Sequence, residues 1–235
     1  MRLKSPASTL HIPPRFENHS KNEVVLTDIG GFTHPEQMSI EVLLRTDAAY
    51  PRRFHELGDA PAKAYLKGTL PAGPTVAIVG ARRASEAGRN MARGLAEALT
   101  GAGFEVISGG AIGIDAAAHE GALAAGGRTF AVLGSSLFEP GPKLNLHLLE
   151  RIIKQGGGWL SEQAGRPDRL AFCRRNRLIA ALADQVIVVE GTAKSGTSYT
   201  LKAARRLGRR IMAVTWAPGD PRGGQSEWVF ANGGE

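Results

Sequence analysis

The chain has 235 residues, 43 % of them hydrophobic and 22 % charged, which is ordinary for a globular protein and enough for one substantial core with a small appendage. No apolar run nears the ~20 residues that span a bilayer, the start MRLKSPASTLHIPPRF has no signal-like apolar stretch, and the only cysteine is Cys173. These features argue against membrane, secretory and disulfide-framework classes and for a cytoplasmic protein, while a net charge of +7 from 29 Lys+Arg against 22 Asp+Glu invites a polyanionic partner.

Along the chain, residues 1–74 hold many prolines and polar residues with patchy periodicity and read as an irregular or weakly helical N-terminal extension. From Thr75 the pattern turns regular. VAIVG, FEVIS, RTFAVLG, GWLSE, DQVIVVE and RRIMAVTW are short apolar runs rich in β-branched residues. Between them lie the helical stretches SEAGRNMARGLAEALTGAG, GIDAAAHEGALAAGG, KLNLHLLERIIKQGG, DRLAFCRRNRLIAALA and GTSYTLKAARRLG. Strands separated by single helices imply right-handed crossovers, so residues 75–216 read as an α/β, Rossmann-like, doubly wound domain. Its sheet is mostly parallel with helices on both faces. Residues 217–235 read as a short C-terminal tail.

In such sheets ligands gather at the carboxyl ends of the strands. The second run empties into Ser108, Gly109, Gly110, Ala111, Ile112 and Gly113, a glycine-rich turn that opens a helix. Glycine lets backbone N–H groups crowd round an anion and the helix dipole adds positive potential, so this turn reads as a phosphate cradle. A tight strand-to-helix connection favours glycine as well when nothing binds. Arg82 and Arg83 leave the first strand beside the cradle, and Arg82 has the fork to clamp phosphate oxygens. Lys194, Ser195, Gly196 and Thr197 form a second glycine turn at a helix start.

The charge is concentrated as well. Residues 166–210 contain 11 basic residues against 3 acidic ones, a local balance of +8. Within this segment Phe172, Arg174, Arg175, Asn176 and Arg177 open an amphipathic helix, where cations oppose the dipole and call for phosphate or carboxylate contact. Phe172 is either a stacking platform for a base or an ordinary core residue. Asp115 reads as a helix cap and His119 as a structural histidine.

GARRASEAG lacks the G-x-G-x-x-G spacing of a dinucleotide site, and no G-x-x-x-x-G-K-[ST] loop occurs. His, Cys and carboxylates do not cluster at ligand spacing, so no metal is expected; no nucleophile–base pair stands out either. The residues favour a binding module without cofactor over an enzyme. The competing reading is a nucleotide-derived small-ligand protein or nucleoside-phosphate hydrolase using the same pocket, with Glu190 or Glu162 as acid or base.

The runs YPRRFHELGDAPAKAYLKGTL (Tyr50 to Leu70), VAIVGARRAS, ISGGAIGIDAAAHEGALAAGGRTFAVLG, WLSEQAG and AFCRRNRLIAALADQVIVVEGTAKSGTSYTLKAARRLGRRIMAV follow one another over residues 50–215. Together they resemble the DNA-processing protein A (DprA/Smf) family. The resemblance implies an extended Rossmann-like core that binds and protects single-stranded DNA, assists loading of RecA in natural transformation and recombination, and commonly forms a homodimer. It implies that Arg82 contacts phosphate, that Ser108, Gly109 and Gly110 belong to a glycine-rich pocket, that Arg175 and Arg177 form an RNR element, and that Lys194, Ser195 and Gly196 form a KSG turn. TWAPGDPRGGQSEWVFANGGE departs from the family's usual proline–glycine turn and following stretch, and KSGTSYT lacks the glutamate of the hydrolase pattern PGG-x-GT-x-x-E.

Overall fold

The structure is a computed structural model that describes Glu23–Val24, residues 39–168 and residues 170–235. In chain order the strands are β1 (Glu23–Val24), β2 (Ile40–Leu44), β3 (Lys63–Gly68), β4 (Thr75–Val79), β5 (Glu105–Ser108), β6 (Thr129–Val132), β7 (Gly158–Ser161), β8 (Gln185–Val188) and β9 (Arg210–Ala213). The helices are α1 (Glu86–Gly101), α2 (Ile114–Ala124), α3 (Leu146–Lys154), α4 (Ala171–Leu182), α5 (Thr197–Arg206) and α6 (Gly224–Ala231). None of the helices among the described residues is long and apolar enough to cross a membrane.

The nine strands among the described residues lie in one sheet, ordered β1-β2-β3-β7-β6-β5-β4-β8-β9. The pairs from β7 through β9 are parallel, as the alternating pattern requires, and every residue of β4, β6 and β7 is buried. β4 starts the parallel block in its middle. β5, β6 and β7 extend to one side of it and β8 and β9 to the other, so the direction of winding reverses between β4 and β8. That reversal opens a crevice at the carboxyl ends of these two strands.

The segment read as an irregular N-terminal extension is partly strand. β2 and β3 form an antiparallel pair, and β3 runs antiparallel to β7, with Tyr65 opposite Ser161 and Gly68 opposite Gly158. The prolines that suggested irregular chain punctuate these strands: Pro51 precedes a 3₁₀ turn at Arg52–Glu56, and Pro61 and Pro71 flank β3. Burial supplies what local pattern lacked. Tyr50, Phe54, Leu57, Ala64 and Leu66 pack in one core with Ala77 and Val79 of β4 and Leu178–Leu182 of α4. Residues 1–22 and 25–38 of that extension lie outside the described residues.

The C-terminal tail also folds. After β9 the chain makes a 3₁₀ turn at Pro221–Gly223 and then α6, whose Val229 is buried in the same core. Trp216 Nε1 donates to the carbonyl of Val189 at 2.7 Å, and the backbone of Glu235 exchanges hydrogen bonds with Ile211 and Ala213 of β9.

Candidate nucleic-acid interface

The crevice between β4 and β8 is occupied by a cavity of about 550 Å³. One wall is the β4–α1 loop, Gly80 to Arg83. Another is the first half of α4, with Phe172, Cys173, Arg175, Asn176 and Ile179, and the third is Thr192, Ser195 and the start of α5. Ala111 and Asp115 of the glycine-rich segment close the floor.

The β4–α1 loop is held by a buried carboxylate. Glu190, at the end of β8, accepts from Ser85 N at 3.0 Å and Ser85 Oγ at 2.7 Å, and Ser85 in turn caps α1 by accepting from Gly88 N. Glycine at position 88 leaves room for this carboxylate, which a Cβ there would have to displace. Glu190 is thus committed to shaping the loop, and Glu162 is committed to Arg177 at 2.9 Å. The two carboxylates considered as acid or base both serve as structural anchors.

On this loop Arg82 and Arg83 are exposed, and among the described residues neither has a carboxylate partner. The Arg82 guanidinium lies 5.0 Å from the centroid of the Phe172 ring, while the same ring packs against Gly134. Phe172 therefore carries the guanidinium on its face, where the sequence left a choice between base platform and core residue.

The glycine turn works differently from the expected cradle. Gly109 N and Ala111 N donate to Asp115 Oδ2 at 3.1 and 3.4 Å, so the anion in the nest is the protein's own carboxylate. Ser108 is fully buried and its hydroxyl donates to Ile78 O at 2.6 Å. Gly110 and Gly113 have φ of +67° and +87°, and a Cβ on Gly113 would run into the carbonyl of Ala81. Gly113 lets the α2 start close against the β4–α1 loop, Gly110 sits against Leu133 and Leu149, and neither lines the cavity.

Asp115 sits in the first turn of α2 while Gly113 occupies the N-cap, so its carboxylate pins the preceding turn and does not cap the helix. Burial raises its pKa and the nearby Arg175 charge opposes that rise. Arg175 is itself 4 % exposed, donating through Nη1 to Gly109 O at 2.6 Å and to Val132 O. Burial lowers its pKa to about 10, leaving it charged at neutral pH, and Asp115 counteracts the burial. His119 Nδ1 lies 2.8 Å from Thr129 Oγ1, whose hydroxyl proton goes to Val106 O, so Nδ1 is the donor. Burial, then Arg175, lowers its pKa to about 3.

The arginine row on α4 splits three ways. Arg175 points into the floor. Arg174 turns outward to Asp168 at 2.8 Å, and Arg177 pairs with Glu162 and Asp59 at 2.9 and 2.8 Å. Burial works against the Arg177 charge, but Glu162 and then Asp59 outweigh it and raise its pKa. The contacts that cations at a helix start call for are supplied by carboxylates and carbonyls of the same chain. Asn176 stays on the cavity wall and donates to Gly196 O at 3.0 Å, joining α4 to the start of α5. Of the second glycine turn, Ser195, Gly196 and Thr197 line the cavity, and Lys194 is exposed on the same turn.

Two contributors escaped the sequence reading. Cys173 lines the wall beside Phe172. Gln225, on α6 and 1 % exposed, donates from Nε2 to Thr192 O at 2.7 Å and Ala193 O at 3.0 Å, bracing the β8–α5 turn from outside. No local signal marks it, because its role depends on the docking of the chain end.

A doubly wound sheet with exposed arginines and a helix start at its switch point defines a Rossmann-like domain. The chain belongs to the DNA recombination-mediator protein A family, whose model matches residues 41–233. It is 37 % identical to Protein Smf of Synechocystis over 191 residues, covering 78 % of this chain and 48 % of that protein. With Protein Smf of Escherichia coli it shares 33 % identity over 202 residues, 84 % of this chain and 54 % of the relative. The chain thus spans about half the length of these relatives. The crystal structure of DNA processing protein A from Streptococcus pneumoniae superposes with a TM-score of 0.76 at 32 % identity, over 83 % of this chain and 70 % of that one. The Helicobacter pylori DNA processing protein A structure, described for its single-stranded DNA binding mode, gives 0.74 at 29 % identity, over 83 % and 89 %.

Proposed function

We propose that this protein binds single-stranded DNA through the switch-point cavity and protects it without turning it over. The observation that carries the reading is the pair Arg82 and Arg83, exposed and, among the described residues, without carboxylate partners, at the mouth of a cavity that the start of α5 also faces. Their charges and that helix start attract phosphate, and the Arg82–Phe172 stack offers a planar cation to an unpaired base. A cavity of about 550 Å³ admits a splayed nucleotide and not a duplex, whose bases are paired and enclosed. The relation to the Helicobacter pylori protein supports the same choice. The commitment of Glu190 and Glu162 to structural contacts favours binding over hydrolysis.

Fluorescence anisotropy of a labelled single strand and its duplex across a salt series tests the proposal. With Arg82, Arg83 and Lys194 each on a phosphate, log affinity should fall against log salt with a slope of about −2, and single strand should outcompete duplex. The double change Arg82→Ala, Lys194→Ala should reduce the slope by about 1.4. An unaffected double variant, or equal affinity for duplex, would overturn the assignment. Self-association and delivery of the strand to a RecA-type recombinase in the cytoplasm extend the reading; sedimentation of the chain alone and RecA filament assembly on coated DNA check them.

A further inference from the structure

The helix that starts at the cavity carries a second surface. Thr197, Thr200, Leu201 and Ala204 bury one face of α5, and the opposite face shows Tyr199, Lys202, Arg205 and Arg206 to solvent. At 100° per residue Tyr199, Lys202 and Arg206 fall within one narrow stripe, and about 10 Å of helix axis separates the first from the last. Tyr199 is 51 % exposed, a large ring that buries little against its own fold. Among the described residues Lys202 and Arg206 have no carboxylate partner, and Arg205 bonds only to the neutral Asn232. Lys202, Arg205 and Arg206 line an open groove of about 570 Å³ whose far wall is Trp228 of α6.

Arginines in a last helical turn are favourable to the dipole, which accounts for Arg205 and Arg206 at the end of α5. It does not account for Lys202 in mid-helix, nor for Tyr199 left in solvent one turn before it. Cations interleaved with exposed aromatic rings suit a flexible polyanion with stackable bases. The stripe also begins beside the cavity, because Gly196 lines the cavity and Tyr199 follows it by three residues, about one turn, on the same side of α5.

We propose that this face of α5 is a second contact track for the nucleic-acid strand that leaves the switch-point cavity, with Lys202 and Arg206 on successive phosphates and Tyr199 under a base. The track rests on the cavity being a single-strand site.

The test compares two labelled oligothymidines on the full chain, one of about 3 nucleotides that reaches Arg82, Arg83 and Lys194 alone and one of about 20 that reaches past the cavity. The double change Lys202→Ala, Arg206→Ala should weaken binding of the long strand about tenfold, cut its salt slope by about 1.4 and leave the short strand unchanged. Tyr199→Leu should weaken the long strand about fivefold with its salt slope kept. A long strand bound with wild-type affinity and slope by the double variant, while Arg82→Ala weakens both strands, overturns the track and keeps the cavity reading. Equal losses on both strands overturn it too, since the change would then act through the cavity. No wild-type binding of either strand removes the cavity reading and the track together. Unchanged strand binding with loss of a poly-glutamate peptide would assign the face to an acidic protein segment instead.

Discussion

At the scale of single residues, the site rests on buried groups held in one protonation state. His119 and Asp115 pull in opposite directions as pH falls. The unfolded chain takes up a proton on His119 near pH 6.5, whereas the folded chain refuses it until about pH 3, so each proton taken up in that window favours unfolding. His119 therefore contributes stability that is fully present above pH 6.5 and is lost as pH falls toward 3. Asp115, whose folded pKa is raised by burial, binds its proton more readily in the fold and offsets part of that loss. His119→Gln removes the first effect and keeps the second. Urea unfolding of the variant between pH 6.5 and 3 should show a pH slope flatter than wild type by as much as 1.4 kcal/mol per pH unit. Parallel slopes would mean that the ring is already charged in the fold. His119 and Asp115 were set apart in the sequence by their place among alanines and after the glycine turn, though the cap expected of Asp115 is replaced by its contacts with Gly109 N and Ala111 N. Arg175 was not: a basic run looks the same in sequence whether its middle member faces solvent or, as here, the carbonyls of Gly109 and Val132.

At the scale of elements, the six parallel strands and the five helices between them were readable because short apolar runs rich in β-branched residues alternate with helical stretches and both end at glycine or polar turns. α6 was not readable. Its sequence GQSEWVFA opens on glycine and does not gather its apolar residues on one face, so only docking fixes it. What it contributes is the position of the β8–α5 turn, since Gln225 holds Thr192 O and Ala193 O and its own N–H binds Gly191 O at 2.8 Å. Gln225→Ala strands two carbonyls and should cost about 1 to 3 kcal/mol in urea unfolding. Amides of residues 192–197 should exchange faster with deuterium, and single-strand affinity should drop, because the start of α5 is no longer held against Asn176. Unchanged exchange there would show that the turn holds its own shape.

At the scale of the whole molecule, the described residues on either side of the boundary drawn at residue 75 from periodicity alone share one sheet and one core. The 3₁₀ turn Arg52–Glu56 stands against α4, the helix that carries Phe172 and Arg175. Phe54 is fully buried there, with Tyr50 edge-on to it at 5.6 Å, and Arg53 Nη1 donates to Leu182 O at 3.1 Å. Asp59 holds Arg177 from the same segment. Since β3 extends the sheet through β7 while this turn braces α4, residues 40–68 should unfold together with the parallel core. Phe54→Ala should cost about 3 to 5 kcal/mol by transfer and cavity formation. In urea, far-ultraviolet circular dichroism and the fluorescence of Trp159, Trp216 and Trp228 should report one shared transition, shifted to lower denaturant in the variant. Trp159 lies on β7 beside β3, and the other two follow β9 at one end of the sheet, so together they watch both ends of the parallel block. A shift confined to an early dichroism step, with fluorescence unmoved, would restore the boundary and leave the β4–α5 site standing on the parallel core alone.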